Sequence, residues 1–193
     1  MSSIGEYFYH SQLKDIALKG MVRADETIVL DELDTGGKIV ASFRGALTED
    51  CANIKGTWQK AGATEKLPFS VRMQSSHSGR LDHRYGIAGY GNDEIVHANA
   101  YKFWLSVKNG DRKAVASMMD YPVRAQVGGK SRTFRNAKAF MASYDAIFTP
   151  SFRQAVVSSV PHNMSADTGG IMLGKTGEVW LNHMGKVKSF NNP

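Results

Sequence analysis

Two short motifs in this chain carry the residue types of a serine nucleophile and its partner lysine. Ser11 and Lys14 have the spacing S-x-x-K, and Lys175-Thr176-Gly177 matches K-T-G. Acyl-transfer sites that use this pair also need an S-D-N motif. No S-D-N occurs between the two motifs, and 193 residues are too few for the corresponding fold. We therefore assign no serine chemistry to these residues.

Two glycine-containing stretches have part of a phosphate-binding pattern. Gly129-Lys130-Ser131 matches the end of a phosphate-binding loop, but the first glycine of that loop would fall at Arg124. Residues 86–91 include three glycines, but no buried strand precedes them, as a dinucleotide-binding turn requires. The sequence therefore predicts no nucleotide cofactor.

A few isolated side chains could hold a metal ion or act as a nucleophile. His77, Asp82 and His83 offer metal-ligating groups, but their spacing matches no established metal site. Cys51 would need a histidine beside it to be activated, and we interpret it as a small, partly buried apolar residue. We predict no catalytic residue, no metal and no cofactor.

The composition is that of an ordinary globular protein. Hydrophobic residues make up 42% of the chain and charged residues 22%, which is enough to build a real core. No apolar run approaches the roughly 20 residues that span a bilayer, so we expect no membrane insertion. The single cysteine, Cys51, excludes an internal disulfide.

The first residues give two expectations for localisation. Residues 1–7 lack the basic and then apolar stretch of a signal peptide. We expect the periplasm or cell envelope if a signal peptide was removed, and the cytoplasm otherwise.

Period-two alternation of apolar residues dominates the first part of the chain and predicts half-buried strands. The predicted strands are 15–22, 26–33, 38–47, 53–59 and 67–73, with a hairpin turn at 34–37. Together they predict an antiparallel β meander over residues 1–74. An apolar-basic-glycine triplet recurs, ending at Gly20, Gly45 and Gly56, and we interpret it as a device that coils the sheet. Because the meander has one apolar face that needs a cover, we expect the two halves of the chain to fold together.

The pattern changes in the middle of the chain. Residues 75–93 are rich in glycine and serine and predict a linker or long loop. Apolar residues at helical spacing follow, including Ile95, Ala98 and Phe103. Asp111, Asn136 and Thr149 are predicted helix caps in the remainder, and short strands end the chain. We therefore predict an α+β domain over 94–193.

The order helix, helix, strand, helix, then several strands resembles the nuclear-transport-factor-2-like fold, also called cystatin-like. The residues that carry this resemblance are Phe103-Trp104, Asn109-Gly110-Asp111 and Met119-Asp120-Tyr121-Pro122-Val123. Arg132 to Asn136, followed by a helix, is similar to the next step of that fold. Residues 134–150 also look like small exported bacterial proteins of undefined function. The resemblance implies a cone formed by helices and a curved antiparallel sheet.

Members of that family include polyketide cyclases, steroid isomerases, dehydratases and protein-binding modules, so fold alone does not decide function. The resemblance implies that an enzyme would place polar groups inside the cone, where Tyr101 and Asp120 could serve as the tyrosine and the base. For a dehydratase, His97 or His183 could pair with Asp120, whereas nothing supplies the second acid of an isomerase. Aromatic residues at these spacings either line a pocket or pack as core. The candidate pocket residues are Tyr101, Trp104, Asp120, Tyr144, Trp180 and His183.

Positive charge is concentrated in the second half of the chain. Residues 1–93 carry 11 Lys/Arg and 12 Asp/Glu, whereas residues 94–193 carry 13 and 6. A run without any acid includes the candidate partner-binding residues Arg124, Lys130, Arg132, Arg135 and Lys138. An acidic protein partner would suit this charge, and a plain solvated face is the other interpretation. Aromatic residues are too few in the run for a nucleic-acid surface.

Two functional hypotheses follow from the sequence. The first is a non-catalytic protein-binding factor, such as an inhibitor or immunity-type protein of the bacterial envelope. The alternative is a small-molecule-binding protein or a polyketide-cyclase-like enzyme that uses the cone cavity. A filled cone interior would favour the first, and a deep pocket with convergent polar groups would favour the second.

Overall fold

The structure is a computed structural model that describes residues 2–9, 12, 14–48, 52–73, 83–89 and 91–192. The chain divides into two compact units, residues 1–78 and residues 79–193. The division falls inside the predicted connecting segment 75–93. Both units together give an α+β protein.

The N-terminal unit is a six-stranded antiparallel meander in which each strand pairs with the next along the chain. The five predicted strands are confirmed within one or two residues. The first strand, Ser2–Tyr9, was missed, because its residues were considered only as a possible signal peptide. The strands are β1 (Ser2–Tyr9), β2 (Lys14–Val22), β3 (Thr27–Leu33), β4 (Ile39–Leu47), β5 (Asn53–Lys60) and β6 (Leu67–Arg72).

The meander curls toward one face. Tyr7 in β1 and Phe43 in β4 make an edge-to-face contact with their ring centroids 5.7 Å apart. In a flat sheet, strands three positions apart would be separated by about 14 Å. The register places Gly45 opposite Gly56, and a Cβ at Gly56 would collide with the Arg44 carbonyl oxygen. Glycine therefore allows the backbones to approach on the inner side, as the recurring triplets predicted.

The C-terminal unit combines α-helices with a second six-stranded sheet. Its described α-helices are α1 (Asp93–Asn109), α2 (Arg112–Ser117), α3 (Ala137–Ala142), α4 (Tyr144–Ile147) and α5 (Pro150–Val157). The strands are β7 (Met119–Val127), β8 (Lys130–Phe134), β9 (Ser165–Asp167), β10 (Gly170–Leu173), β11 (Val179–Leu181) and β12 (Val187–Phe190). Their order in the sheet is β8-β7-β12-β11-β10-β9. β12 runs parallel to β7, and the other pairs are antiparallel.

The predicted caps fix where these helices begin. The Asp111 carboxylate accepts a hydrogen bond from the Ala114 N–H at 3.0 Å, and the Asn136 side chain accepts one from Ala139 at 2.9 Å. Thr149 caps α5, which has Pro150 at its first position. Each cap satisfies a backbone donor that the first helical turn leaves without a partner.

Two interpretations of the middle of the chain were wrong in detail. Ile95 is 42% exposed and Ala98 is exposed, so the buried stripe of α1 is Val96, Ala100, Phe103 and Val107. Tyr85, assigned to the linker, is buried in the C-terminal core. Residues 83–89 therefore belong to the C-terminal unit. Strands β8 and β9 were not predicted, because they are short and mostly exposed.

Among the helices of the described residues, none combines the length and the apolar character required to cross a bilayer.

Candidate functional site

The interior of the C-terminal unit is filled by aromatic rings. Phe140 is fully buried and lies at the centre, with its ring next to those of Phe134, Tyr144, Phe148 and Phe190 at centroid distances of 6.0 to 6.4 Å. Phe152 packs on Phe148 and Phe190 from α5. These rings fill the space between the helices and the sheet of the unit.

Two of the polar candidate residues lie on the surface instead of inside the unit. Asp120 is exposed and accepts a hydrogen bond from the Asn182 amide at 2.8 Å. His183 is exposed in the turn between β11 and β12. Tyr101 is 39% exposed. Because all three side chains are exposed, they do not form a buried polar site.

The aromatic candidates serve different purposes. Trp104 is 7% exposed, donates its indole N–H to the Val157 carbonyl at 3.0 Å, and stacks on Tyr101. Tyr144 is buried and stacks on Phe148 at 4.6 Å, and this burial raises the pKa of its hydroxyl. Trp180 lies between the buried residues Val179 and Leu181 of β11, so it points to the opposite face of the sheet.

The glycine-rich segment before α1 has a packing role. A Cβ at Gly91 would collide with the His183 carbonyl oxygen, and one at Gly89 would lie 3.1 Å from the His183 Cβ. Gly89 also has φ of +127°, which side chains rarely adopt. The missing side chains therefore let the backbone at Gly89 and at Gly91 pass close to the β11–β12 turn.

A buried tyrosine fastens the same segment to the core. The Tyr85 hydroxyl accepts a hydrogen bond from the Met164 N–H at 3.1 Å and lies 2.8 Å from Nε2 of His97. The His97 ring packs on His162 with centroids 3.6 Å apart. Burial raises the pKa of Tyr85 to about 12, so it stays neutral. This cluster was not predicted from the sequence, because Tyr85 lies in the glycine-rich stretch that indicates a linker.

A shallow groove adjoins His162. It has a volume of about 210 Å³ and is lined by the end of α5 and the β9 and β10 region, including Ser158, Met164 and Lys175. The groove lies at the C-terminal end of α5, where the helix dipole disfavours anions. Its side chains make no arrangement that we can connect with a reaction.

The five basic candidate residues are exposed, but they do not share one surface. In the β7–β8 hairpin, Arg124 pairs with Thr133, and Arg132 pairs with Ala125. Because successive side chains alternate between the faces of a strand, Arg124 and Arg132 project from opposite faces. Arg135 and Lys138 lie beyond β8, in the turn and in α3.

The inner face of the N-terminal sheet is apolar and incompletely covered. Register and alternation place one set of side chains on the face toward which the sheet curls. Leu67 and Val71 are 46% and 52% exposed, and most of the others are partly exposed. This concave face includes Tyr7, Ile16, Leu18, Leu30, Glu32, Phe43, Ile54, Trp58, Leu67, Phe69 and Val71.

Glu32 lies at the centre of the concave face and is 5% exposed. Its Oε1 atom accepts a hydrogen bond from the Tyr7 hydroxyl at 2.9 Å and another from the Trp58 indole N–H. Both donors come from strands two positions away from β3 on either side. Burial, and then the bond to Glu32, raise the pKa of Tyr7 above its ordinary value, so the hydroxyl remains a donor.

Some early candidates lie outside the described residues, namely Ser11, Cys51, His77 and Asp82. The sequence assigns none of them a catalytic or metal-binding role.

No protein-family model, curated protein or solved structure matches this chain. The geometry of the two units therefore carries the functional argument.

Proposed function

We propose that this chain is a non-catalytic binding protein that holds an apolar ligand on the concave face of its N-terminal sheet. The observation that carries the proposal is the partly exposed apolar face itself, which curls around a central polar group. Monomeric proteins rarely leave a contiguous apolar surface open without a binding role. A small ligand with an apolar body suits a face that curls over a few strands.

The packing of the C-terminal unit is a second argument for a non-catalytic role. If its helices and sheet form the cystatin-like cone that the resemblance implies, the aromatic core occupies the space where enzymes of that kind bind substrate. The polar candidates Asp120 and His183 are exposed on the surface of the unit and not buried inside it. The small-molecule hypothesis is therefore retained, but with its site on the N-terminal sheet.

We also propose, as a separate point, that an acidic protein partner binds basic residues of the C-terminal unit. Arg124 and Arg132 project from opposite faces of the hairpin. A single partner surface could therefore contact only some of the five basic residues. The envelope localisation and the inhibitor or immunity-type role depend on that partner, and they too are proposals.

The binding proposal is tested with the full chain and the neutral fluorescent probe N-phenyl-1-naphthylamine, whose emission rises in apolar surroundings. Ile54 lies on the concave face and Thr57 on the convex face of the same strand, and both are partly buried. We expect Ile54→Gln to weaken probe binding by about tenfold, because it replaces apolar contact area with an amide. The matched control Thr57→Gln should bind as the wild type does. Equal binding by both variants would place the probe elsewhere and reject the proposal.

A further inference from the structure

We propose that the ligand of the concave face is a hydrophobic amine, whose ammonium group is received by Glu32; this inference rests on the proposed function. The apolar body of the ligand would lie along the partly exposed side chains of the face. The charged group would reach the one carboxylate at its centre. Glu32 is a carboxylate surrounded by apolar residues and by neutral hydrogen-bond donors. These surroundings favour a hydrophobic amine as the ligand.

The hydrogen bonds of Glu32 are concentrated on one of its two oxygens. Within the described residues, Tyr7 and Trp58 both donate to Oε1. A carboxylate offers about four acceptor positions over two oxygens. Oε2 is therefore positioned to accept a hydrogen bond from a ligand without displacing either of the existing donors.

The charge of Glu32 is not balanced on its own face. It is the one acid among the described strand positions that belong to the concave face. The lysines that share this face, Lys14 and Lys60, lie at strand ends and are exposed. No ion pair links either of them to Glu32 in the described residues. A tyrosine and a tryptophan stabilise a carboxylate by donating hydrogen bonds, but they do not neutralise it.

The surroundings also select the body of the ligand. Phe43 lies against both Tyr7 and Phe69 in edge-to-face contacts, so aromatic rings flank the carboxylate on the inner side. Trp58 and Tyr7 are themselves aromatic, so an apolar chain gains contact with their rings. A strongly hydrated ion such as a free metal cation would gain nothing from this apolar wall, whereas an alkylammonium uses both parts of the site.

Glu32 also has a structural role, which must be separated from ligand recognition. By holding Tyr7 and Trp58 from opposite sides, its Oε1 atom helps to keep the sheet curled. Glu32→Gln retains a carbonyl oxygen for these two donors, removes the charge and replaces the second oxygen by an NH2 group, which donates and does not accept hydrogen bonds. Asp31→Asn is a matched control, because Asp31 is the neighbouring residue on the other face, where its carboxylate accepts a hydrogen bond from Ser42 at 2.5 Å.

The experiment measures displacement of N-phenyl-1-naphthylamine from the full chain by n-octylammonium, n-octanol and n-octanoate at pH 7. We expect wild-type protein to bind octylammonium at least about tenfold more tightly than octanol, since hydrogen bonds to charged groups are the stronger ones. Octanoate should bind most weakly. The net charge of +6 favours the anion non-specifically, so a preference for the amine cannot arise from overall charge.

The variants decide the role of Glu32. Glu32→Gln should bind octylammonium and octanol equally, with the affinity for octanol unchanged, and Asp31→Asn should keep the preference. Equal binding of the amine and the alcohol by wild-type protein would overturn this inference and leave the proposed function standing. A preference that survives Glu32→Gln would also overturn it. Failure of all three compounds to displace the probe would reject the proposed function itself. The wild-type comparison needs no variant, so the inference remains testable even if Glu32→Gln does not fold.

Discussion

The two units of this chain use their apolar residues in different ways. In the C-terminal unit, a continuous set of buried side chains encloses Phe140 between helices and sheet. In the N-terminal unit, Ile28 and Ala41 are the buried apolar residues among those described, and Glu32 is buried beside them. The first pattern maximises burial and leaves little room for a ligand, whereas the second leaves apolar surface open around a polar centre. We therefore expect the C-terminal unit to contribute most of the stability, and we propose that the N-terminal unit binds the ligand.

The most drastic change to the chain is to separate the two units. We expect residues 79–193 alone to unfold cooperatively with a midpoint near that of the full chain, because their core is completed within the unit. This differs from the expectation that the halves fold together, which was based on the exposed face of the meander. Thermal unfolding followed by circular dichroism checks it. A fragment that aggregates or shows no transition would mean that the C-terminal unit depends on the rest of the chain.

The next effect compares one phenylalanine in each unit. Phe140→Ala should lower the free energy of unfolding by about 3–5 kcal/mol, as truncation of a fully buried aromatic ring does. Phe43→Ala should cost only about 1–2 kcal/mol, because its ring is already partly exposed. Urea unfolding of the full chain measures both. Similar losses for the two variants would contradict the difference in packing.

The helices and strands could be predicted from the sequence more completely than the residues of the candidate sites. Regular alternation identified five strands of the meander, and the cap residues Asp111, Asn136 and Thr149 identified helix starts. The glycines that bend the first sheet were interpreted correctly, because glycine inside an alternating strand pattern indicates a bend or a close backbone approach. β1 was missed, because its short alternating pattern stands at the start of the chain, where a leader was considered instead.

The polar centre of the concave face needed the register of the whole sheet. Glu32 follows Ile28 and Leu30 with a period of two, so a charge stands where an apolar residue is expected. That signal was present in the sequence, but Tyr7 and Trp58 come from strands 25 and 26 residues away. In the C-terminal unit, Trp180 and His183 looked suitable as residue types. Local pattern does not report which face of a strand or turn reaches the core.

The smallest expected effect is the alkaline sensitivity of the C-terminal unit. Burial raises the pKa of Tyr85 to about 12, so the folded protein keeps a proton that the unfolded chain loses near pH 10. The contribution of Tyr85 is complete below about pH 10 and is lost as the pH rises toward 12. At pH 11 the stability lost in this way is about 1.4 kcal/mol. Urea unfolding between pH 9 and 11 should show a shallower decline for Tyr85→Phe than for wild type. Parallel declines would show that other groups govern it.

The central claim, that ligand binds the N-terminal sheet and not the interior of the C-terminal unit, is tested most directly by the three tryptophan indole signals. Trp58 donates to Glu32 on the concave face, Trp104 donates to Val157, and Trp180 lies on the outer face of the second sheet. In a two-dimensional ¹H–¹⁵N spectrum of the full chain titrated with n-octylammonium, we expect the Trp58 indole signal to move while those of Trp104 and Trp180 stay in place. Movement of the Trp104 or Trp180 signal with an unchanged Trp58 signal would contradict the claim.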